Sequence, residues 1–106
     1  MHILKFTQNW AMKLDNKKFF TTLRISRPFY KSGDDAIIEM KNKVIGTAKI
    51  KTVTVCKINE LPNIICLMDT GYDKKETITI LQRLYPTANW NVETISIILL
   101  EWIKRY

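Results

Sequence analysis

The stretch from Val44 to Ile58 constrains the fold more than any other part of this sequence. It reads as one long strand in which Ala48 and Ile50 set one apolar phase, Val53 and Val55 set the other, and the parity slips near Lys51 and Thr52. Side chains on a strand alternate with a period of two, so a slip of one residue marks a bulge. Bulged strands are how small sheets bend into barrels. A chain built around this strand, with Gly46 near its start, is expected to fold about a curved sheet.

The remaining segments supply partners for that strand. His2 to Phe6 alternates as a short strand, and Phe6, Trp10 and Leu14 then recur every fourth residue, which predicts a helical face with Thr7 as N-cap. Phe19 to Ile25 is rich in β-branched and aromatic residues and reads as a second strand. Ser26 to Gly33 is loop, because Pro28 interrupts pairing and Ser32-Gly33-Asp34 is turn chemistry. Ala36 to Met40 is strand again, and Lys41-Asn42-Lys43 is a hairpin connection. After the long strand, Glu60-Leu61-Pro62 predicts a helix start with Pro in the first turn, and Gly71 its C-cap. Asp73 and Glu76 have capping-box spacing for a second helix, striped by Thr77, Leu81, Leu84 and Tyr85 and ended by Pro86. Thr94 to Ile103 is apolar at nearly every position, as in a closing strand covered on both faces. The order β-α-β-β-β-α-α-β, without repeat or linker, predicts a single α+β domain over residues 1–106: a small curved β-barrel with flanking helices.

At 106 residues such a domain buries enough surface to hold together without metal or disulfide staples. Cys56 and Cys66 lie in apolar surroundings and read as reduced core thiols. With no CxxC and His2 as the one histidine, structural zinc and histidine triads are disfavoured, and neither a metal nor a cofactor is expected. The apolar runs Ile64 to Met68 and Ile97 to Leu100 are far shorter than the ~20 residues of a membrane-spanning helix. The amino end turns polar at Thr7 and Gln8 before a signal-peptide core forms, so a cytoplasmic protein is expected. Seventeen Lys and Arg against ten Asp and Glu give a net charge of +7, which makes a polyanion, nucleic acid first, the expected partner.

Several motifs lead nowhere. Asp69-Thr70-Gly71 superficially matches the loop of retroviral-type aspartic proteases, but no glycine follows Gly71 to buttress it. Gly71 is better read as a helix cap and Asp69 as a loop acid. The three glycines are too scattered for a phosphate loop. Lys17 to Arg27 is different, because cations alternate with hydroxyls and aromatics, and Thr22 and Arg24 share one face of the strand. Arg24 either lines a cleft or pairs an internal carboxylate such as Asp69. Lys17, Lys18, Arg27 and Lys31 extend a phosphate-tracking surface with Phe29 and Tyr30 between the last two. Trp10 and Trp102 read as core, whereas Trp90, in a polar loop, either stacks on a base or packs over the helix end.

Taken together, the Ile3 to Leu14 segment, Thr22-x-Arg24, Gly33-Asp34, Gly46-x-Ala48-x-Ile50, Asp69-x-Gly71, Leu84-Tyr85 and the apolar final strand resemble the ASCH domain family, a branch of the PUA-like superfamily. That resemblance implies a small β-barrel with an RNA-associated cleft beside a G-x-K-x-x-T-x-R motif. Certain bacterial members deacetylate acetylcytidine nucleosides with the motif's lysine and threonine and a downstream acid, and others have been associated with ribonuclease activity. Thr22 and Arg24 match the motif, and Asp69 falls close to the acid, which is a glutamate in the amidohydrolases. Phe19 stands at the lysine position and Lys17 at the glycine position. Lys18 is one residue early, which on a strand puts it on the face opposite Phe19. A threonine nucleophile needs a base, so weak or absent amidase activity is expected unless Lys18 turns inward.

Three functional readings follow. The first is a small nucleic-acid-binding module, for RNA before DNA on the family's account, using a cleft around Thr22, Arg24 and Asp69. The second is an amidohydrolase or ribonuclease acting on modified nucleosides or RNA, with Thr22, Lys18 and Asp69 catalytic. The third is a phage or mobile-element accessory module acting through a protein partner.

Overall fold

The computed structural model describes residues 2–15 and 17–106. The strands are β1 (His2–Phe6), β2 (Phe19–Ile25), β3 (Asp35–Met40), β4 (Lys43–Cys56) and β5 (Ile95–Arg105), and the helices are α1 (Asn63–Thr70) and α2 (Lys74–Leu84). Single 3-10 turns stand at Trp10–Met12 and Ile58–Glu60. The strands form one sheet in the order β1-β3-β4-β5-β2, with β1 parallel to β3 and every other pair antiparallel.

The expected slip is real: the register of β4 on β5 shifts between Ile50 and Thr52, and again between Thr47 and Ala48. A third shift lies between Ile38 and Glu39 of β3. These irregularities curl the sheet into a half-barrel, so the architecture is α+β with two helices packed on a curved sheet. Lys41 and Asn42, with φ of 50° and 68°, form the tight hairpin between β3 and β4.

Curling divides the apolar residues between two cores. Inside the curl lie Leu4, Phe6, Phe20, Ile38, Ile50 and Leu100. Beneath the helices lie Leu23, Ile25, Leu61, Cys66, Leu81 and Ile95. β2 and β5 contribute to both, Phe20 and Leu100 to the first and Leu23, Ile25 and Ile95 to the second. Cys56 and Cys66 are free thiols, and burial pushes both upward in pKa.

Local caps fall as expected in the second half. Gly71 closes α1 in the left-handed conformation at φ 81°, its N–H donating to the Leu67 carbonyl. Asp73 caps α2 by accepting from the Glu76 N–H at 2.9 Å. The first half needs correction. The helix expected after Phe6 is only the Trp10–Met12 turn, and Thr7 does not cap it. Asn9 closes the loop instead, accepting from the Leu14 N–H at 2.9 Å, and Met12 at φ 52° stops helical continuation. Pro62 is the N-cap of α1 rather than a first-turn residue, and Leu84 at the end of α2 is exposed.

Gly46 sits where β4 meets the end of β5. A Cβ there would lie 2.2 Å from the Lys104 carbonyl oxygen and 2.8 Å from the Trp102 ring. Gly46→Ala is therefore expected to lower stability by about 1–3 kcal/mol or more through backbone displacement, read from urea denaturation.

Candidate functional site

The curl does not close. β1 and β2 are the two edges of the sheet, and between them lies a cleft of about 250 Å³ walled by Lys5, Phe6, Trp10, Lys13, Thr22 and Arg24, with Asp69 and Leu81 on the helix side. Arg24 spans the seam: its Nη2 donates to the Lys5 carbonyl on β1 at 2.9 Å, and its Nε donates to Thr22 Oγ1 on β2 at 3.1 Å. The guanidinium lies over the Phe6 ring, 4.9 Å from its centroid. Arg24 thus faces the cleft and does not pair Asp69.

The partner of Asp69 is Lys13. Its ammonium donates to Asp69 Oδ1 at 2.9 Å, and both side chains are about 95% buried, at 5% and 4% relative exposure. Thr21 Oγ1 donates to the same oxygen at 2.7 Å. Burial holds Lys13 below the ordinary lysine range; Asp69 pulls the other way without overcoming it, and Arg24 adds a further push downward. The cleft wall therefore carries an amine whose charged form is disfavoured by burial, in contact with a carboxylate.

The residues singled out from sequence divide into two groups. Thr22, Arg24 and Asp69 come together at the cleft, Thr22 and Asp69 being buried. The threonine that touches the acid, however, is Thr21, while Thr22 is held by Arg24. Lys18 does not turn inward: it is exposed and pairs Glu101 at 3.3 Å. Lys17 and Lys31 are exposed away from the cleft lining, and Arg27 lies 3.8 Å from Glu93. Trp90 is half-buried, edge-on to Tyr85 at 6.3 Å, in the core beneath the helices. Trp10 is not core but a cleft wall, edge-on to Tyr72.

Sequence reasoning missed Lys13 and Thr21. The one local signal for Lys13 is a cation wedged between Met12 and Leu14, in a segment whose four-residue spacing predicts a helix face. For Thr21 there was none, because it shares β2 with the better-matched Thr22.

No family model matches the chain, and no curated protein matches it in sequence. Solved structures do match its shape. A protein of Enterococcus faecalis V583 assigned to the family model DUF984 superposes with a TM-score of 0.74 at 11% identity, over 100% of this chain and 78% of that one. Two mutant crystal structures of ZmASCH from Zymomonas mobilis superpose with TM-scores of 0.64 and 0.62 at 14% identity, each over 98% of this chain and covering 71% and 73% of theirs. The chain has an ASCH-like fold.

The buried lysine gives a test of the site by pH. The unfolded chain keeps the Lys13 proton up to the ordinary value of 10.5, whereas the folded protein releases it lower. Between the two pKa values the unfolded state holds the extra proton, so stability gains from rising pH there; below the folded pKa no such slope exists. Urea denaturation across the alkaline range is expected to show this rise in the wild type relative to Lys13→Met.

Proposed function

We propose that this ASCH-like fold serves as a small nucleic-acid-binding module, taking RNA before DNA, with the β1–β2 cleft as its nucleotide site. The observation that carries the reading is Arg24, a permanent cation fixed on Phe6 by two hydrogen bonds, with further N–H donors for a phosphate oxygen or base edge. Trp10 and Phe6 supply ring surface, and the net charge of +7 favours a polyanion. The preference for RNA rests on the likeness to ASCH structures alone.

Fluorescence anisotropy with short single-stranded RNA, an RNA hairpin and a DNA duplex tests it, with Arg24→Ala checked for folding by circular dichroism. The expected outcome is binding that survives physiological salt, prefers RNA and falls about tenfold or more in the variant, as for loss of a charged hydrogen bond. Equal binding of all three ligands, released together as salt rises, would mean that charge alone acts.

Lys13 favours a second reading, hydrolysis of an N-acylated nucleoside. The lysine absent from the β2 motif position is present in the cleft, delivered by the preceding turn and set against Asp69. In this reading Thr22 Oγ1 attacks the amide carbonyl and passes its proton to Lys13, Lys13 returns that proton to the leaving nitrogen as the C–N bond breaks, and water then hydrolyses the acyl ester on Thr22, releasing the carboxylic acid and restoring the hydroxyl. With acetylcytidine as substrate, Thr22→Val and Lys13→Met are each expected to abolish turnover, followed by chromatography. Product formation that persists in folded Thr22→Val removes Thr22 as nucleophile.

A further inference from the structure

The cations that the sequence places together along Lys17 to Arg27 are separated by the fold. β2 puts about 20 Å of strand between Lys17-Lys18 at one end and Arg27 at the other. At the Lys17 end β2 lies beside the finish of β5, whose other edge pairs with the first half of β4. Arg105 Nη2 donates to the Lys17 carbonyl, Lys104 pairs in register with Thr47, and the Tyr106 N–H donates to the Ile45 carbonyl at 2.9 Å. Lys43 opens β4 beside this junction. Lys17, Lys18, Lys43, Lys104 and Arg105 therefore share one end of the sheet, and Glu101 is already divided between Lys18 at 3.3 Å and Lys51 at 3.5 Å.

Exposed rings stand among these cations. Tyr106 is 70% exposed and Phe19 44% exposed, with Lys104 and Lys18 each 5.6 Å from the respective ring centroid. Arg105 lies 4.7 Å over Trp102. From Trp102 a row of rings runs inward, to Phe20 at 4.8 Å and on to Phe6 at 6.1 Å, the ring that carries Arg24. The cation-rich end and the cleft are thus the two ends of one aromatic row.

We propose that this end of the sheet is the track for the backbone of a single-stranded nucleic acid, with phosphates on Lys17, Lys43 and Lys104 and unpaired bases stacked on Tyr106 and Phe19. Interleaved cations and exposed rings suit a strand whose base faces are open; a duplex hides those faces, and an acidic protein would engage the cations and leave the rings idle. The track rests on the nucleic-acid reading above, to which it adds the surface and the strandedness.

The test is anisotropy with a labelled single-stranded RNA of about 12 nucleotides, within the range such sites cover, titrated at several salt concentrations. The triple variant Lys17→Glu/Lys43→Glu/Lys104→Glu is compared with Lys57→Glu/Lys75→Glu/Arg83→Glu, which changes net charge equally at exposed cations elsewhere. Tyr106→Ala probes the ring without altering charge. The track triple is expected to bind at least tenfold more weakly than the control triple and to flatten the salt dependence by about two, at roughly 0.7 per lost phosphate contact. Tyr106→Ala is expected to weaken binding about fivefold or more, the lower end of base stacking. Equal losses in the two triples, with Tyr106→Ala unchanged, overturn the track but leave the cleft reading standing on its Arg24 dependence. Absence of wild-type binding overturns both.

Discussion

One carboxylate oxygen ties this fold together at the cleft. Asp69 Oδ1 receives Lys13 from the turn after β1 and Thr21 from β2, residues 56 and 48 positions away in sequence, while Asp69 itself comes from the last turn of α1. A buried ammonium and a buried carboxylate each cost several kcal/mol of hydration, and their mutual attraction roughly offsets that without adding much. What the contact provides is position. Removing either partner strands the other, so the turn, the strand and the helix must meet where they do. Gly71 contributes by ending α1 immediately after Asp69 and Thr70, which keeps that last turn docked on the sheet.

The cleft exists because the barrel stops short of closing. Two sheet edges facing one another invite pairing with a foreign strand. Arg24 occupies that gap by linking its own strand's Thr22 to the Lys5 carbonyl of the opposite edge. A side chain thereby does part of what a ladder of backbone hydrogen bonds does in a closed barrel, and it leaves a polar floor where closure would have left none. Phe6 packs against both Arg24 and Lys13, at 4.9 and 5.5 Å, so one ring stabilises two cations, and burial first, with repulsion from Arg24 as a smaller contribution, lowers the Lys13 pKa.

Legibility followed locality. The bulge near Lys51, the Phe19–Ile25 strand, the Gly71 cap and the Asp73 cap were all readable, because each is decided by residues within one or two turns of chain. The likeness to ASCH structures was readable from element order and the Thr22-x-Arg24 pair. Lys13 was not, since whether a lysine is buried depends on the acid that meets it, and Asp69 lies 56 residues on. The same holds for Trp10, whose four-residue spacing from Phe6 and Leu14 fits a helix that Asn9 and Met12 prevent. Lys17, Lys18 and Arg27 look like one patch in a line of text, and only the direction of β2 shows that they are not.

Charge inside the cleft and charge on the surface act on different scales. Within the cleft Lys13 is matched by Asp69, leaving Arg24 as the seam cation, whereas the net +7 is a property of the exposed lysines. Screening at physiological salt limits exposed charges to about 8 Å, and the narrowest extent of the molecule is 24 Å. Surface cations therefore raise the local concentration of any polyanion without sensing what occupies the cleft. If the cleft is the nucleotide site proposed above, discrimination falls to groups that are fixed before a ligand arrives: a guanidinium pinned at two of its nitrogens, a threonine hydroxyl engaged by it, and a lysine locked to its acid. Such groups spend little conformational entropy on binding, so a ligand that fails to match their hydrogen-bonding pattern meets the full cost of desolvating them.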